Sequence, residues 1–242
     1  MSTGPTPIHR HGGLENASRV LAVLTALLLA VIVVLVLADR SSNTTNSQGG
    51  TGSGIAATQA RSLPPFTGVD LAGANNVVVR VGARQSVIVH ADSNLLGRVT
   101  TQLSSGSLVI GNTPGILNAK SPMFVAVSVP SLDALSVEGS GNISVTGINS
   151  PSLIVRLPGS GTIHAAGTAA RVDVEIGGSG TALLSRLIAR DATASIDGSG
   201  SIVLTATDSL DASISGSGTI LYAGNPVQVT KSVTGSGTIS GG

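Results

Sequence analysis

The chain has 242 residues, only 10% of them charged, and a formal net charge of +1. The absence of cysteine excludes a disulfide scaffold and a thiolate metal site. Basic patches with interleaved aromatic residues are also absent, which argues against nucleic acid as a partner. Phe66, Phe124 and Tyr222 are the only aromatic residues, so a core has to be built from stacked aliphatic side chains, as in repeat proteins.

The first apolar segment predicts a transmembrane helix at residues 20–38. Thr25 is its only polar residue, and a helix of this length spans about 28 Å, close to the hydrocarbon thickness of a bilayer. The segment is longer than the apolar region of a signal peptide, which favours a retained anchor over a cleaved peptide. Arg10 and Arg19 precede it, so we expect residues 1–19 to be a cytoplasmic tail and the rest to be extracytoplasmic.

Residues 39–62 are expected to form a flexible linker, because the stretch SSNTTNSQGGTGSG from Ser41 to Gly54 contains no aliphatic side chain. Residues 63–130 then show strand patterns of irregular spacing, as in Val77–Val81 and Phe124–Val129. Since the terminal repeats of a solenoid usually depart from its pattern, we interpret 63–130 as the N-terminal cap and first coils of a repeat domain that extends to residue 242.

Residues 131–242 contain Gly-Ser-Gly six times, at intervals of 18 to 20 residues. The glycines are Gly139, Gly141, Gly159, Gly161, Gly178, Gly180, Gly198, Gly200, Gly216, Gly218, Gly235 and Gly237. Apolar and polar residues alternate before and after each motif, which is typical of strands with one buried face. Each motif is therefore predicted to be a structural corner between two strands, where glycine tolerates positive φ and leaves room for the neighbouring layer. A second, looser corner completes each coil.

This periodicity predicts an all-β solenoid, a β-helix with about 19 residues per coil, preceded by the transmembrane α-helix. Equivalent residues of successive coils become neighbours at about 4.8 Å per layer. We therefore expect exposed ion pairs between Arg156 and Glu175 and between Arg171 and Asp191. The last coil has no further coil over it in this sequence, and we expect another copy or a partner to cover it.

A column of polar residues follows the corners and is the candidate ligand-facing surface. Its members are Asn142, Thr162, Thr181, Ser201, Thr219 and Thr238. Such a flat, repetitive set of hydrogen-bonding groups suits a repetitive partner such as a glycan. An equally weighted interpretation is that these residues only keep the strands soluble and β-prone.

Other chemistry has weak support in the sequence. No Gly-Ser-Gly motif continues into a phosphate-binding loop, which indicates structural corners. Asp173 and Asp211 share a column two coils apart, about 10 Å on the layer spacing, so a carboxylate pair is conceivable on geometry alone. No metal-ligand set converges around His90 or His164, and we expect no metal, no cofactor and no catalytic residue.

The repeated pattern apolar-x-apolar-x-Gly-Ser-Gly-x-Ile, preceded by Val129-Pro130-Ser131-Leu132, resembles the bacterial auto-transporter adhesin head family, the GIN domain. The resemblance covers about residues 66–240. It implies a right-handed β-helix located in the bacterial cell envelope, and adhesion as its activity. It carries over no catalytic residue, and the chain departs from an auto-transporter because a single helix replaces the membrane β-barrel.

The main functional hypothesis is a membrane-anchored, extracytoplasmic, non-catalytic module for binding or adhesion, with an envelope glycan or a surface protein as its partner. The first alternative is a structural envelope scaffold that self-associates as a homo-oligomer through its open terminal coil. The second alternative is a polysaccharide-active β-helix enzyme. Lateral binding requires the faces of the solenoid, whereas assembly requires its terminal coil.

Overall fold

The computed structural model describes residues 50–242 of the chain. These residues form an all-β solenoid of about five turns, with one 3-10 turn at Leu96–Arg98. The strands are β1 (Gly50–Thr51), β2 (Ala56–Arg61), β3 (Gly68–Leu71), β4 (Asn76–Val81), β5 (Ser86–Asp92), β6 (Val99–Ser104), β7 (Ser107–Asn112), β8 (Leu117–Asn118), β9 (Phe124–Val129), β10 (Ala134–Val137), β11 (Asn142–Leu157), β12 (Thr162–Ile176), β13 (Thr181–Gly198), β14 (Ser201–Gly216), β15 (Thr219–Ala223), β16 (Gln228–Gly235) and β17 (Thr238–Gly241).

The predicted membrane span at 20–38 and the predicted tail at 1–19 lie outside the described residues. So does the first part of the predicted linker, up to residue 49. Within residues 50–242, no helix has the length and apolar character needed to cross a bilayer.

The regular half of the solenoid consists of parallel strands stacked in register. Strands β11 to β14 each extend from one Gly-Ser-Gly corner towards the next, and equivalent residues pair between layers, such as Leu157 with Ile176. Inward positions are buried and outward positions are exposed or half-buried, as the period-two pattern predicts. Pairing of Arg156 with Glu175, and of Glu175 with Ser195, confirms coils of about 19 residues.

The looser second corner that the sequence predicted is a bend within one continuous strand in β11 to β14, whereas in the last coil it separates β15 from β16. The ladder from β11 to β12 crosses the bend with one irregularity, between Val145 and Ile148. Gly147 lies in the bend with a φ of 81°, which side chains with a Cβ rarely adopt. Because bulges of this kind bend a strand without ending it, hydrogen bonding between layers continues around this side of the coil.

The irregular half of the sequence belongs to the same solenoid, but its layers do not follow chain order. The coil formed by β3 and β4 lies directly beneath the coil formed by β10 and the start of β11. The chain then supplies the next layer down with β7 and β9, which pair in parallel with β3 and β4. Residues 82–133 are thus an excursion that builds the lower layer before the chain returns to stack β10 on β3.

Antiparallel strands close the lower end of the stack. Strand β6 pairs with β7 as a hairpin, and β5 pairs with β9 on one side and β2 on the other. This arrangement includes β2, which lies before the range 63–130 that we interpret from the sequence as the cap and first coils. An antiparallel edge ends the run of parallel layers because it does not repeat their geometry.

Part of the predicted linker at 39–62 is structured. Residues 56–61 form β2, and Gly50–Thr51 pair in parallel with β8. Asp92 is fully buried beside this segment and accepts hydrogen bonds from the backbone N–H groups of Gly54 and Lys120, each at 2.8 Å, and from Ser121 Oγ at 2.8 Å. A polar, glycine-rich composition suggested a tether here, and the contacts that order it come from residues distant in sequence.

The core is one continuous cluster of aliphatic side chains. Ile176, Ile196 and Ile214 stack as one inward column over three layers and are almost fully buried. In the last coil of the described residues the same column ends at Val233, which is 44% exposed, because no further layer covers it. The aliphatic stacking that the composition predicted therefore extends through the solenoid and is uncovered at this end.

Candidate ligand-binding face

All six residues of the predicted ligand-facing column lie in one line across the solenoid. Each pairs with its equivalent in the next layer, from Asn142 with Thr162 through to Thr219 with Thr238. Their side chains point outward between buried neighbours, and they are exposed or half-buried. The column arises because in-register parallel strands repeat the same position in every layer. Ligand binding by this column stays a prediction.

The column continues beyond these six residues into the irregular half. Asn142 pairs with Asn76 on β4, and Asn142 Nδ2 donates a hydrogen bond to Asn76 Oδ1 at 3.0 Å. Asn76 in turn pairs with Phe124, Phe124 with His90, and His90 with Thr58. The full line, here called the polar column, is Thr58, His90, Phe124, Asn76, Asn142, Thr162, Thr181, Ser201, Thr219 and Thr238.

His90 and Phe124 form an aromatic pair at the cap end of the polar column. Their ring centroids are 4.2 Å apart and the ring planes differ by 8°, so the rings are stacked. Both side chains are half-buried, and they line an open depression of about 360 Å³ together with Thr58 and Pro122. Sequence reasoning missed this pair because His90 and Phe124 meet only through antiparallel pairing of β5 with β9. The available signal was the shared strand pattern of Ser86–His90 and Phe124–Val129.

A second outward column runs beside the polar column, two residues further along each strand except on the antiparallel β5, where it lies two residues earlier. This line, here called the apolar column, is Ala60, Ile88, Ala126, Val78, Ser144, His164, Leu183, Val203, Leu221 and Ser240. Val78 is 50% exposed and Leu221 is 39% exposed. The polar column and the apolar column together form one side of the solenoid, here called the first lateral face. It presents hydroxyl and amide groups in one line and mostly aliphatic groups in the next.

A shallow groove of about 550 Å³ borders the apolar column at the bend of the coils. Ser144, His164 and Leu183 form one side of it, and Thr146 and Arg186 form the other. The bulges of β11 and β12 create this groove because they interrupt the regular stacking of outward side chains. It gives the otherwise flat face a concave margin.

The Gly-Ser-Gly corners hold the layers at the edge of this face. A Cβ on Gly200 would lie 2.5 Å from Ile176 Cγ2 and 2.8 Å from the carbonyl oxygen of Gly180, and one on Gly237 would lie 2.5 Å from Ile214 Cγ2. Among the glycines of the six Gly-Ser-Gly motifs, only the first glycine of each of the last three motifs has a positive φ, such as Gly216 with a φ of 132°. Close approach between layers is thus the general reason for these glycines, and positive φ is an additional reason at three of them.

The second lateral face, formed by residues that precede the corners, is charged. Arg156 Nε lies 3.3 Å from Glu175 Oε2, which confirms the first predicted ion pair. Arg171 pairs in register with Asp191, as predicted, but the salt bridge to Asp191 Oδ2 comes from Arg190 Nη2 at 3.0 Å. The prediction used only the register, and it did not consider the neighbour of Asp191 in the chain.

Carboxylates gather in an open groove of about 510 Å³ on this second face. Asp173 and Asp211 lie in one column with Thr193 between them, so they are two layers apart as predicted. A hydrogen bond from Ser209 Oγ to Asp191 Oδ1, at 2.7 Å, and the neighbouring Arg190 lower the pKa of Asp191. Within residues 50–242, no three histidine or acidic side chains are grouped closely enough to hold a metal ion.

The fold and the repeated corners match one family of known proteins. The family described as "Putative auto-transporter adhesin, head GIN domain" matches residues 65–226. The chain belongs to this family, which confirms the resemblance identified from the Gly-Ser-Gly pattern. No curated protein gives a significant match to the chain.

Several solved bacterial structures share the fold. A "putative adhesin" from Bacteroides fragilis is 21% identical, with a TM-score of 0.67 over 80% of this chain and 100% of that one. A "putative adhesin" from Parabacteroides distasonis is 20% identical, with a TM-score of 0.52 over 81% and 100% of the two chains. A "putative lipid binding protein" from the same organism is 24% identical, with a TM-score of 0.50 over 81% and 99%. At these identities the likeness supports the fold alone.

Proposed function

We propose that the chain is a binding or adhesion module of the bacterial cell envelope, with its first lateral face as the binding surface. The observation that carries the proposal is the pair of adjacent columns, one polar and one mostly aliphatic, that runs along the whole stack. Repeat proteins commonly bind their partners through the extended surfaces that their stacked layers form. Membership of an adhesin family supports the same activity.

An envelope glycan is the proposed partner, with a surface protein as the alternative. Repeating hydroxyl and amide groups at a constant spacing of about 4.8 Å can bind a polymer whose own hydrogen-bonding groups repeat. The adjacent aliphatic groups would cover the apolar parts of the same polymer. We also propose that the coils wind in the right-handed sense that the family resemblance implies.

The proposal places this module outside the cytoplasmic membrane, anchored by residues 20–38 with the N-terminus in the cytoplasm. The support is the length of the apolar segment and the arginines that precede it. Reporter proteins fused separately to Met1 and Gly242 test this arrangement. An N-terminal reporter that is active only outside the cell would contradict it.

We propose that the module is not an enzyme. The carboxylates of the second face are separated by Thr193 and share their surroundings with arginines, a pattern typical of exposed ion pairs. The polysaccharide-active alternative predicts cleavage of an envelope polysaccharide that is lost in the Asp173→Asn variant. Cleavage that depends on Asp173 would overturn the non-catalytic proposal.

Binding of the purified full-length chain to whole bacterial cells tests the adhesion proposal. We expect saturable binding that purified envelope polysaccharide competes away. The competitor separates the two proposed partners, because binding to a surface protein would persist in the presence of polysaccharide and disappear after protease treatment of the cells. Absence of saturable binding to cells would contradict the proposal.

A structural scaffold is the second candidate, and the uncovered last coil favours it. Val229 is 39% exposed and Val233 is 44% exposed, although both continue inward columns of the core. Such uncovered columns are a surface on which another copy could stack. This alternative predicts concentration-dependent self-association of the wild-type chain.

A further inference from the structure

We propose that the His90–Phe124 pair is a subsite for an uncharged pyranose ring at the cap end of the polar column. The inference rests on the proposed function, because it names the part of the first lateral face that holds one sugar unit and the class of glycan that it accepts. The glycan class is a neutral, extended polysaccharide. The other sugar units of the polysaccharide would lie along the polar and apolar columns.

The position of the rings supports this assignment. Phe124 is flanked in the polar column by His90 on one side and Asn76 on the other, so an aromatic wall lies in line with hydrogen-bonding groups. The depression beside the rings, about 360 Å³ in volume, has Ala57 and Ala91 among its lining residues. An apolar wall next to a few polar groups is the general composition of small-molecule sites, and it suits a sugar, which has apolar C–H groups and hydroxyls.

The absence of charge on these columns selects the class of glycan. None of the ten residues of the polar column and none of the ten residues of the apolar column is Asp, Glu, Lys or Arg. The second lateral face carries Arg156, Glu175, Arg171 and Asp191 at equivalent outward positions. An anionic polymer would find no lysine or arginine within the two columns, and would meet Arg186 only at the bend that borders the apolar column, so a neutral polysaccharide is the occupant that their chemistry fits.

The outward placement of Phe124 also fits a subsite. Phe66 is the only aromatic side chain in the buried hydrophobic core of the described residues. Phe124 instead points outward and is half-buried. A cross-strand pair of this kind contributes only modestly to the stability of antiparallel strands. Purely structural pairing therefore predicts that a β-branched residue at position 124 leaves binding unchanged, whereas a sugar subsite predicts weaker binding.

Binding of chitohexaose and cellohexaose, two neutral β-1,4-linked oligosaccharides, to the full-length chain in detergent tests the subsite. We expect Phe124→Val and His90→Thr each to weaken binding about 3- to 10-fold, the loss expected for one aromatic contact. Phe124→Tyr keeps a ring and should retain wild-type affinity. Arg171→Thr, on the second face, is the control and should also retain it.

A second measurement separates contact from a general loss of fold. The imidazole proton resonances of His90 should shift when chitohexaose or cellohexaose is added to the wild-type chain. Unshifted His90 resonances, or equal affinity of the wild type and Phe124→Val, would overturn the subsite. Binding to envelope polysaccharide without binding to either oligosaccharide would overturn it as well, while leaving the proposed function in place. Failure of the wild type to bind polysaccharide or oligosaccharide would overturn both.

Discussion

Arg156 and Glu175 lie side by side on neighbouring coils, with Arg156 Nε 3.3 Å from Glu175 Oε2. Both side chains remain more than half exposed, so water and salt screen the pair. A double-mutant cycle with Arg156→Thr and Glu175→Thr should give a coupling energy below about 1 kcal/mol in denaturant unfolding. The coupling should fall further in high salt. A coupling of several kcal/mol would mean that the pair is shielded from solvent, contrary to its geometry.

The corner glycines predict a large difference between two similar substitutions. Gly200→Ala places a Cβ 2.5 Å from Ile176 Cγ2, and we expect this overpacking to lower the free energy of unfolding by about 1–3 kcal/mol. Gly177→Ala is the matched control, because its Cβ would meet only Pro158 Cα at 3.9 Å. Urea unfolding measured on both variants checks the prediction. Equal stability of the two would contradict the account of close layer contact at the corners.

The buried Asp92 predicts that the N-terminal strands depend on one carboxylate. Burial raises the pKa of Asp92, but the hydrogen bonds from Lys120, Ser121 and Gly54 outweigh it and hold the pKa below its usual value of 3.8. The stabilisation is therefore present above pH 3.8 and is lost as the pH falls through the lower folded-state pKa.

The Asp92→Asn variant should lower Tm at neutral pH, because an amide nitrogen replaces one of two acceptor oxygens in front of N–H donors. It should also speed hydrogen exchange at residues 50–61 and reduce the fall in Tm on acidification. Exposed Asp133→Asn is the control. An unchanged exchange rate at residues 50–61 in Asp92→Asn would show that other contacts hold this segment.

Lys231 predicts how the last coil behaves in solution. It occupies the inward column of Val174, Ala194 and Ala212, and its Nζ lies 4.7 Å from the centroid of the Tyr222 ring. An inward charge on an edge strand opposes stacking of a further copy. Lys231→Val should therefore increase the mass measured by sedimentation at high protein concentration, whereas Arg171→Val on the second face should not. A wild type that self-associates as strongly as Lys231→Val would favour the scaffold alternative instead, and two proteins that both remain monomeric would contradict the role given to Lys231.

The repeat could be predicted from the sequence because its information is local and periodic. The spacing of the glycines aligned Thr162 with Thr181 and Arg156 with Glu175, and the structure confirms both pairings. The irregular half could not be predicted in the same way, because its layers do not follow chain order. The strand pattern of Phe124–Val129 is visible in the sequence, but the position of Phe124 between His90 and Asn76 depends on pairing between distant strands.

The same distinction applies to the linker and to the second corner. The composition of residues 41–54 is that of a tether, and only the distant Asp92 explains why Gly54 is held in place. The sequence around Gly147 indicates a corner, and it does not show that the strand continues through it. That continuity depends on hydrogen bonding between β11 and the next coil. Long-range pairing, rather than local propensity, determined each of these features.

The measurement that most directly tests the central claim is a binding isotherm of the purified chain on envelope polysaccharide, with lysines placed on one face at a time. Thr162, Thr181 and Ser201 changed together to lysine put three charges on the polar column. Ser195, Ser213 and Ser232 changed to lysine put three charges in one column of the second face. The account predicts that binding is lost in the first triple variant and kept in the second. Equal binding by both triple variants would contradict the assignment of the first lateral face as the binding surface.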